Sequence, residues 1–242
     1  MSALPGTTGR RRIYLMRHGH VDYFAKAVTE TGNPRLAELT FQGDEEADAA
    51  GQALGVIRFD VALCSGLKRS QQTAERVLDW QSDNDISLES DSRFEELNSG
   101  QFIHFESKEQ LAATMSFQFE NADQPGATFL EGGEKFTDGL ARAVEGIEAL
   151  LARPGWSQAL IVGHEGINRV ILSWFCNAAL NASVAFEQDT GCINILDVDL
   201  VPEGDDVIIE RKLIKAVNLT PLNYEKHGMN LRSLEAIFDQ GR

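Results

Sequence analysis

The sequence predicts an α/β protein, with three α/β/α layers built around a mixed, mostly parallel central sheet. Two apolar runs, Ile13-Tyr14-Leu15-Met16 and Ala159-Leu160-Ile161-Val162, read as strands buried on both faces. Each stops abruptly, the first at Arg17-His18-Gly19-His20 and the second at Gly163-His164-Glu165-Gly166. Strand and helix signals alternate through most of the chain, as βα units do. Near the C-terminus the alternation gives way to two strand-like stretches joined by Pro202-Glu203-Gly204-Asp205-Asp206, a hairpin with turn chemistry in its middle. The sheet is therefore expected to be parallel at its centre and antiparallel at one margin.

The elements follow in order. Residues 13–16 are the first strand. Thr40 caps a helix over 43–54 whose first turn is acidic, as the helix dipole prefers. Phe59-Asp60-Val61-Ala62-Leu63-Cys64 is a strand, and 67–80 a helix with apolar or small residues at Leu67, Ser70, Ala74, Val77 and Leu78. Ile86-Ser87-Leu88 is a short strand. A helix over 131–151 keeps Phe136, Leu140, Val144, Ile147 and Leu151 at helical spacing, and Pro154-Gly155 ends it. The strand at 159–162 precedes a helix over 167–175, and 192–200 and 207–217 form the hairpin. Between about 98 and 126 the aromatics Phe102, Phe105, Phe117 and Phe119 among polar residues suggest a helical insertion, a lid over the C-terminal edge of the strands. No repeat, low-complexity tract or linker interrupts the chain. One domain over 1–242 is expected, with residues 1–11 flexible.

Composition bounds the function. Hydrophobic residues make up 43% of the 242, enough for a sizeable core. Lys and Arg number 22 against 37 Asp and Glu, a formal charge of -15. Such a chain is not expected to bind nucleic acid or anionic membranes through general electrostatics. An anionic substrate would need a local cationic pocket working against the global field. Cys64, Cys176 and Cys192 show no C-x-x-C spacing, so free thiols in a reducing compartment are expected. The first twelve residues lack the apolar core of a signal peptide, and no run approaches the roughly 18 apolar residues of a membrane span. The expectation is a soluble, cytoplasmic protein.

In open α/β sheets, ligands sit outside the carboxyl ends of the strands. If the two histidine-tipped strands are neighbours, two imidazoles and an arginine converge on one crevice, which suits an anionic substrate attacked by nitrogen. Four segments in order strengthen this. They are Arg17-His18-Gly19, then Cys64-Ser65-Gly66-Leu67-Lys68-Arg69-Ser70-Gln71-Gln72-Thr73-Ala74, then Arg93-Phe94-Glu95-Glu96-Leu97-Asn98-Ser99-Gly100, then Val162-Gly163-His164. Together they resemble the histidine phosphatase (phosphoglycerate mutase-like) superfamily, on its phosphatase branch, over roughly residues 12–217.

The resemblance implies a phosphohistidine intermediate on His18; no cofactor and no metal are expected. An attacking imidazole must be unprotonated and held by an acceptor at its other nitrogen. Arg17 and Arg69 are the residues for the phosphoryl oxygens, because the planar guanidinium fork binds them bidentately. His164 would contact the same oxygens from the opposite side. Alignment on Arg93 and Gly100 makes Glu96 the acid that protonates the leaving group, with Glu95 one position away. Glu165, in the phosphate-binding set, stands where the family often has a small residue and reads as a salt-bridge partner or pocket wall. His20, Tyr23 and Ser65 are candidate substrate contacts, Ser65 reading more simply as a helix cap. His20 departs from the acidic residue common at that place. His104 and His227 carry no assignment, and Glu134 and Arg142 read as surface residues.

Two other functions stay open on the sequence. A phosphoglycerate-type mutase would use the same phosphoenzyme, although His20-Val21-Asp22-Tyr23 departs from the mutase pattern. A binding module for phosphorylated ligands would use the same anion-holding residues without turnover. No H-x-x-x-H or H-E-x-x-H spacing exists, and two arginines would repel a cation from the crevice. The expected partner is a phosphorylated small molecule, chosen by residues 21–34, by the insertion and by the tail. The apolar C-terminal hairpin could pair across a homodimer or be covered by a tail helix over 231–238.

Overall fold

Apolar side chains on both faces of the central strands create the three layers. The computed structural model describes residues 9–23, 25–81, 86–100, 117–204 and 206–222. Its strands are β1 (Gly9–Arg17), β2 (Val61–Cys64), β3 (Leu88–Ser90), β4 (Gln158–Gly163), β5 (Ile193–Glu203) and β6 (Asp206–Leu219), and they form one six-stranded sheet in the order β3-β2-β4-β1-β5-β6. The first four of that order run parallel, while β5 and β6 form the antiparallel margin. Helices α1 (Lys26–Thr31), α2 (Phe41–Leu54), α3 (Lys68–Asp79), α4 (Phe136–Ala152) and α5 (Glu165–Phe175) flank it.

Successive side chains along a strand point to opposite faces, and the core divides accordingly. Ile13, Leu15, Leu63 and Ile161 pack against Ile147 and Leu150 of α4 and Ile167, Val170 and Ile171 of α5. Tyr14, Met16, Ala62, Leu160 and Val162 pack against Ala50 and Leu54 of α2 and Ala74 and Val77 of α3. The Thr40 cap holds, its hydroxyl accepting from the Gly43 amide at 3.2 Å. Among the described residues no helix is long and apolar enough to cross a membrane.

Several expectations change, among them the short strand, which is Leu88–Ser90 and not 86–88. β1 begins at Gly9, so residues 9–11 belong to the sheet and not to a flexible leader. The cause is a set of cross-strand ion pairs. Arg12 Nε lies 2.7 Å from Asp197 Oδ1, Arg10 Nε lies 2.8 Å from Asp199 Oδ1, and Arg211 Nη2 of β6 lies 2.7 Å from Asp199 Oδ2. Next, α4 starts at Phe136 and not at 131, because Gly132 takes φ +72° in a turn closed by the Thr128–Lys135 bridge. Finally, Phe119 is no lid residue. It is 3% exposed and packs against Phe129 and Phe136 in the core. Residues 118–126 run in turns. Residues 101–116 of the predicted insertion, with Phe102, His104 and Phe105, lie outside the described residues, as do Phe24, His227 and the predicted tail helix.

Asp197 is fully buried. Asp197→Ala should therefore cost about 2–3 kcal/mol, below the roughly 3–5 kcal/mol of a fully buried pair, because Arg12 keeps some solvent. A thermal melt should fall by roughly 5–10 °C. An unchanged midpoint would show that the arginine ladder does not hold β1 in the sheet.

Candidate active site

β1 and β4 are adjacent and parallel, with Arg17 opposite Gly163. Both histidines therefore emerge at the same end of the sheet. The His18 amide donates to the Gly163 carbonyl at 3.1 Å, and the two imidazole centroids lie 5.0 Å apart at 62°. His18 Nδ1 lies 2.7 Å from the Gly19 carbonyl, and Arg69 Nε donates to Nε2 at 3.2 Å. One nitrogen faces an acceptor and the other a donor, which assigns the proton to Nδ1 and a lone pair to Nε2.

His164 Nε2 is 2.8 Å from Ser65 Oγ, which is 2.7 Å from Ser70 Oγ. Ser65 also takes the Leu67 amide at 3.2 Å, so the residue read as a cap ties the start of α3 to His164. Among the described residues His164 Nδ1 has no partner, although it is buried.

The guanidinium groups are held from behind. Arg17, 3% exposed, places Nη1 on the Gln188 carbonyl and 3.2 Å from Glu165 Oε2. Its buried Nε has no partner among the described residues. Arg69 is not the solvated helix residue that its neighbour Lys68 suggests. It is 4% exposed, Nη1 donates to the Pro34 carbonyl at 3.2 Å, and the Tyr23 ring lies 5.9 Å away. Tyr23 and Pro34 thus form a wall at Arg69.

Glu95 and Glu96 part company, as adjacent extended residues do. Glu95 forms a two-bond pair with Arg35, at 2.7 and 2.9 Å. Glu96 turns to the first turn of α5. Its Oε1 accepts from the Leu97 and Ile167 amides at 2.9 and 3.0 Å, and Oε2 accepts from Gly166 at 3.0 Å. A Cβ on residue 166 would stand 2.7 Å from Glu96 Oε1, so glycine there admits the carboxyl group. Arg142 and Glu134, read as surface residues, brace this segment. Arg142 donates to the Arg93 carbonyl at 2.7 Å and to the Glu96 carbonyl at 3.3 Å, and pairs with Glu134 at 2.7 Å. Glu134 in turn accepts from the Asn98 amide at 3.0 Å.

Behind the loop that follows His18 the crevice is closed by backbone. A Cβ on residue 19 would lie 2.4 Å from the Gly43 carbonyl, and one on residue 43 would lie 2.2 Å from the His20 carbonyl. Only a pair of glycines lets α2 approach this closely. The Gly19 amide donates to Thr73 Oγ1 at 3.1 Å, and the His20 amide to Glu46 Oε2 at 2.7 Å. His20 Nδ1 meets Thr40 Oγ1 at 2.8 Å. Thr73, Gln188, Glu46, Arg142 and Glu134 are supports that sequence reasoning missed. Their only signal was placement: Thr73 lies four residues after Arg69, one helical turn on.

Burial, reinforced by Arg69 and Arg17, holds His18 well below the ordinary histidine pKa. Burial, Arg69 and His18 do the same for His164. Burial pushes Glu96 up against the three amides that pull it down, and the Glu165 charge adds to the rise. The arrangement combines a neutral imidazole whose Nε2 lone pair meets Arg69, fixed cations and a carboxyl group whose pKa burial raises. That set can receive an anionic group and exchange a proton with it.

Fold and site together define an α/β protein with a double-histidine, double-arginine crevice at the carboxyl ends of parallel strands. A model of the histidine phosphatase superfamily (branch 1) matches residues 13–201, and the chain belongs to that superfamily. It is 24% identical over 191 residues to the adenosylcobalamin/alpha-ribazole phosphatase of Escherichia coli K12, covering 78% of this chain and 90% of that one. A 2,3-bisphosphoglycerate-dependent phosphoglycerate mutase of Mesorhizobium japonicum is 37% identical over 92 residues, 37% of this chain and 44% of the mutase. The structure of a mycobacterial glucosyl-3-phosphoglycerate phosphatase superposes with a TM-score of 0.67 at 20% identity, over 87% of this chain and 100% of that one.

Proposed function

We propose that the protein is a phosphatase that hydrolyses a phosphomonoester through a phosphohistidine on Nε2 of His18, without a metal. The observation that carries this reading is the His18 ring itself, with Nδ1 turned to the Gly19 carbonyl and the Nε2 lone pair 3.2 Å from Arg69 Nε. Arg17 Nε and His164 Nδ1, both buried and without a partner among the described residues, are donors suited to phosphoryl oxygens. For His164 this needs the Nδ1–H tautomer, with the Ser65 hydroxyl donating to Nε2.

In the first step the Nε2 lone pair forms a bond to phosphorus as the bond to the leaving oxygen breaks. Charge spreads over three equatorial oxygens in a loose transition state, and Arg17, Arg69 and His164 stabilise it. Glu96 gives its proton to the departing alkoxide. Oε2 is the oxygen for this task, since it accepts one amide and Oε1 accepts two. In the second step a water attacks phosphorus, Glu96 takes the water's proton, and the nitrogen–phosphorus bond returns its electron pair to His18. Tyr23 and His20, on the wall beside Arg69 and at the end of the nucleophile loop, are the described residues placed to meet the substrate's remainder.

The relative matched over most of its length is named a phosphatase, whereas the match to the mutase covers under half of it. This supports hydrolysis over mutase transfer. A panel of phosphorylated metabolites assayed with EDTA present should release inorganic phosphate, and 2- and 3-phosphoglycerate should not interconvert faster than they are hydrolysed. Interconversion without release would make the protein a mutase, and binding without either reaction a recognition module. Turnover abolished by EDTA would overturn metal independence.

A further inference from the structure

We propose that Glu165 is the resident counter-ion of Arg17, that an incoming phosphoryl group competes with it for that guanidinium, and that it thereby sets a weak hold on phosphate. This deepens the phosphatase reading and rests on it. Arg17 Nη1 sits 3.2 Å from Glu165 Oε2 and on the Gln188 carbonyl, while the buried Nε has no partner among the described residues, so a carboxylate already neutralises the guanidinium whose Nε phosphate would use. The other oxygen, Oε1, lies 3.3 Å from Nη1 of Arg169, one helical turn on. Arg169 is itself fixed, donating to the Ser183 and Val184 carbonyls at 3.0 Å each and lying 3.9 Å over the Phe119 ring.

Glu165 therefore bridges two anchored cations, one in the crevice and one behind it. When phosphate arrives, the carboxylate can give up Arg17 and keep Arg169, so its charge is not stranded. As the first residue of α5 it also keeps the favourable field of the helix N-terminus. The phosphate dianion nevertheless meets a negative neighbour in a partly desolvated site, where like charges repel more strongly than in water. Substrate binding is weakened by this repulsion, and so is binding of the product phosphate, which must leave before the next turnover. Glu165 is thus an affinity-setting residue.

Titration calorimetry of the full chain with inorganic phosphate tests this without turnover. Glu165→Gln removes the charge but keeps the shape, and should bind phosphate about tenfold more tightly. KM and the phosphate inhibition constant should fall in parallel, and kcat should not rise. Glu165→Asp keeps a charge at the helix start but shortens the reach to Arg17, and should give an intermediate gain. It also carries the test should the glutamine variant fail to fold, as judged by circular dichroism. If the folded variants bind phosphate equally or more weakly while the wild type hydrolyses phosphomonoesters, the counter-ion role is wrong and the phosphatase reading survives. If the wild type neither binds nor releases phosphate, both fall.

Discussion

His18→Ala should lower kcat for phosphomonoester hydrolysis by at least about 10⁴-fold, the loss expected when a nucleophile disappears and only binding contacts remain. Rapid acid-free quench of the wild type with labelled substrate should trap an acid-labile, base-stable phosphoprotein, and the variant should trap none. The pH profile follows from the burial of the same ring. Because Arg69 and Arg17 add to burial in keeping His18 below the ordinary value near 6.5, the nucleophile stays neutral as pH falls through that region. The acid limb of kcat/KM should therefore lie below pH 6.5 once the substrate's own ionisation near pH 6 is allowed for. A limb centred at 6.5 or above, or a labelled protein surviving in the alanine variant, would move the nucleophile elsewhere.

Glu96→Gln should reduce kcat by about 10²–10⁴-fold for alkyl phosphates, the usual worth of a positioned acid. The loss should shrink for p-nitrophenyl phosphate, whose leaving phenolate needs no proton. This leaving-group dependence separates a proton donor from a mere structural support. The substitution has a structural cost as well, because an amide nitrogen at the position of Oε2 would face the Gly166 N–H, donor against donor. One buried donor left unmatched costs about 1–3 kcal/mol, which the thermal midpoint should register. An equal rate loss for both leaving groups would assign Glu96 to holding α5 alone. Glu95→Gln, by contrast, should alter only the exposed pair with Arg35, worth about 1 kcal/mol or less.

The strands that lead to the histidines were legible because each is a short, continuous apolar run that halts abruptly, at Arg17-His18 and at Gly163-His164, the pattern of a strand buried on both faces. Their adjacency was not, since which parallel strands pair is a long-range choice and local sequence leaves it open. The same limit hides the surroundings of the cations. Arg69 looks solvated beside Lys68, and what buries it lies 51 residues away at His18 and 35 away at Pro34. Arg142 and Glu134 are eight residues apart, outside the three- and four-residue spacings that mark helical pairs, and they meet only because both serve the Glu96 segment. The opening arginines read as a loose leader because their partners, Asp197 and Asp199, come from the distant end of the chain. Phe119 is core and not lid for a related reason, since aromatic content alone does not tell one from the other.

The ladder between β1 and β4 has one more implication. Side chains alternate with every residue, so a slip of one position would send Arg17 to the opposite face, and no intermediate register exists. Spacing between the two imidazoles is quantised by main-chain pairing, while the stretch bearing Tyr23 and Pro34 hangs outside that lattice. Drift in those outer stretches can reshape the wall at Arg69, and the paired imidazoles are left where they were.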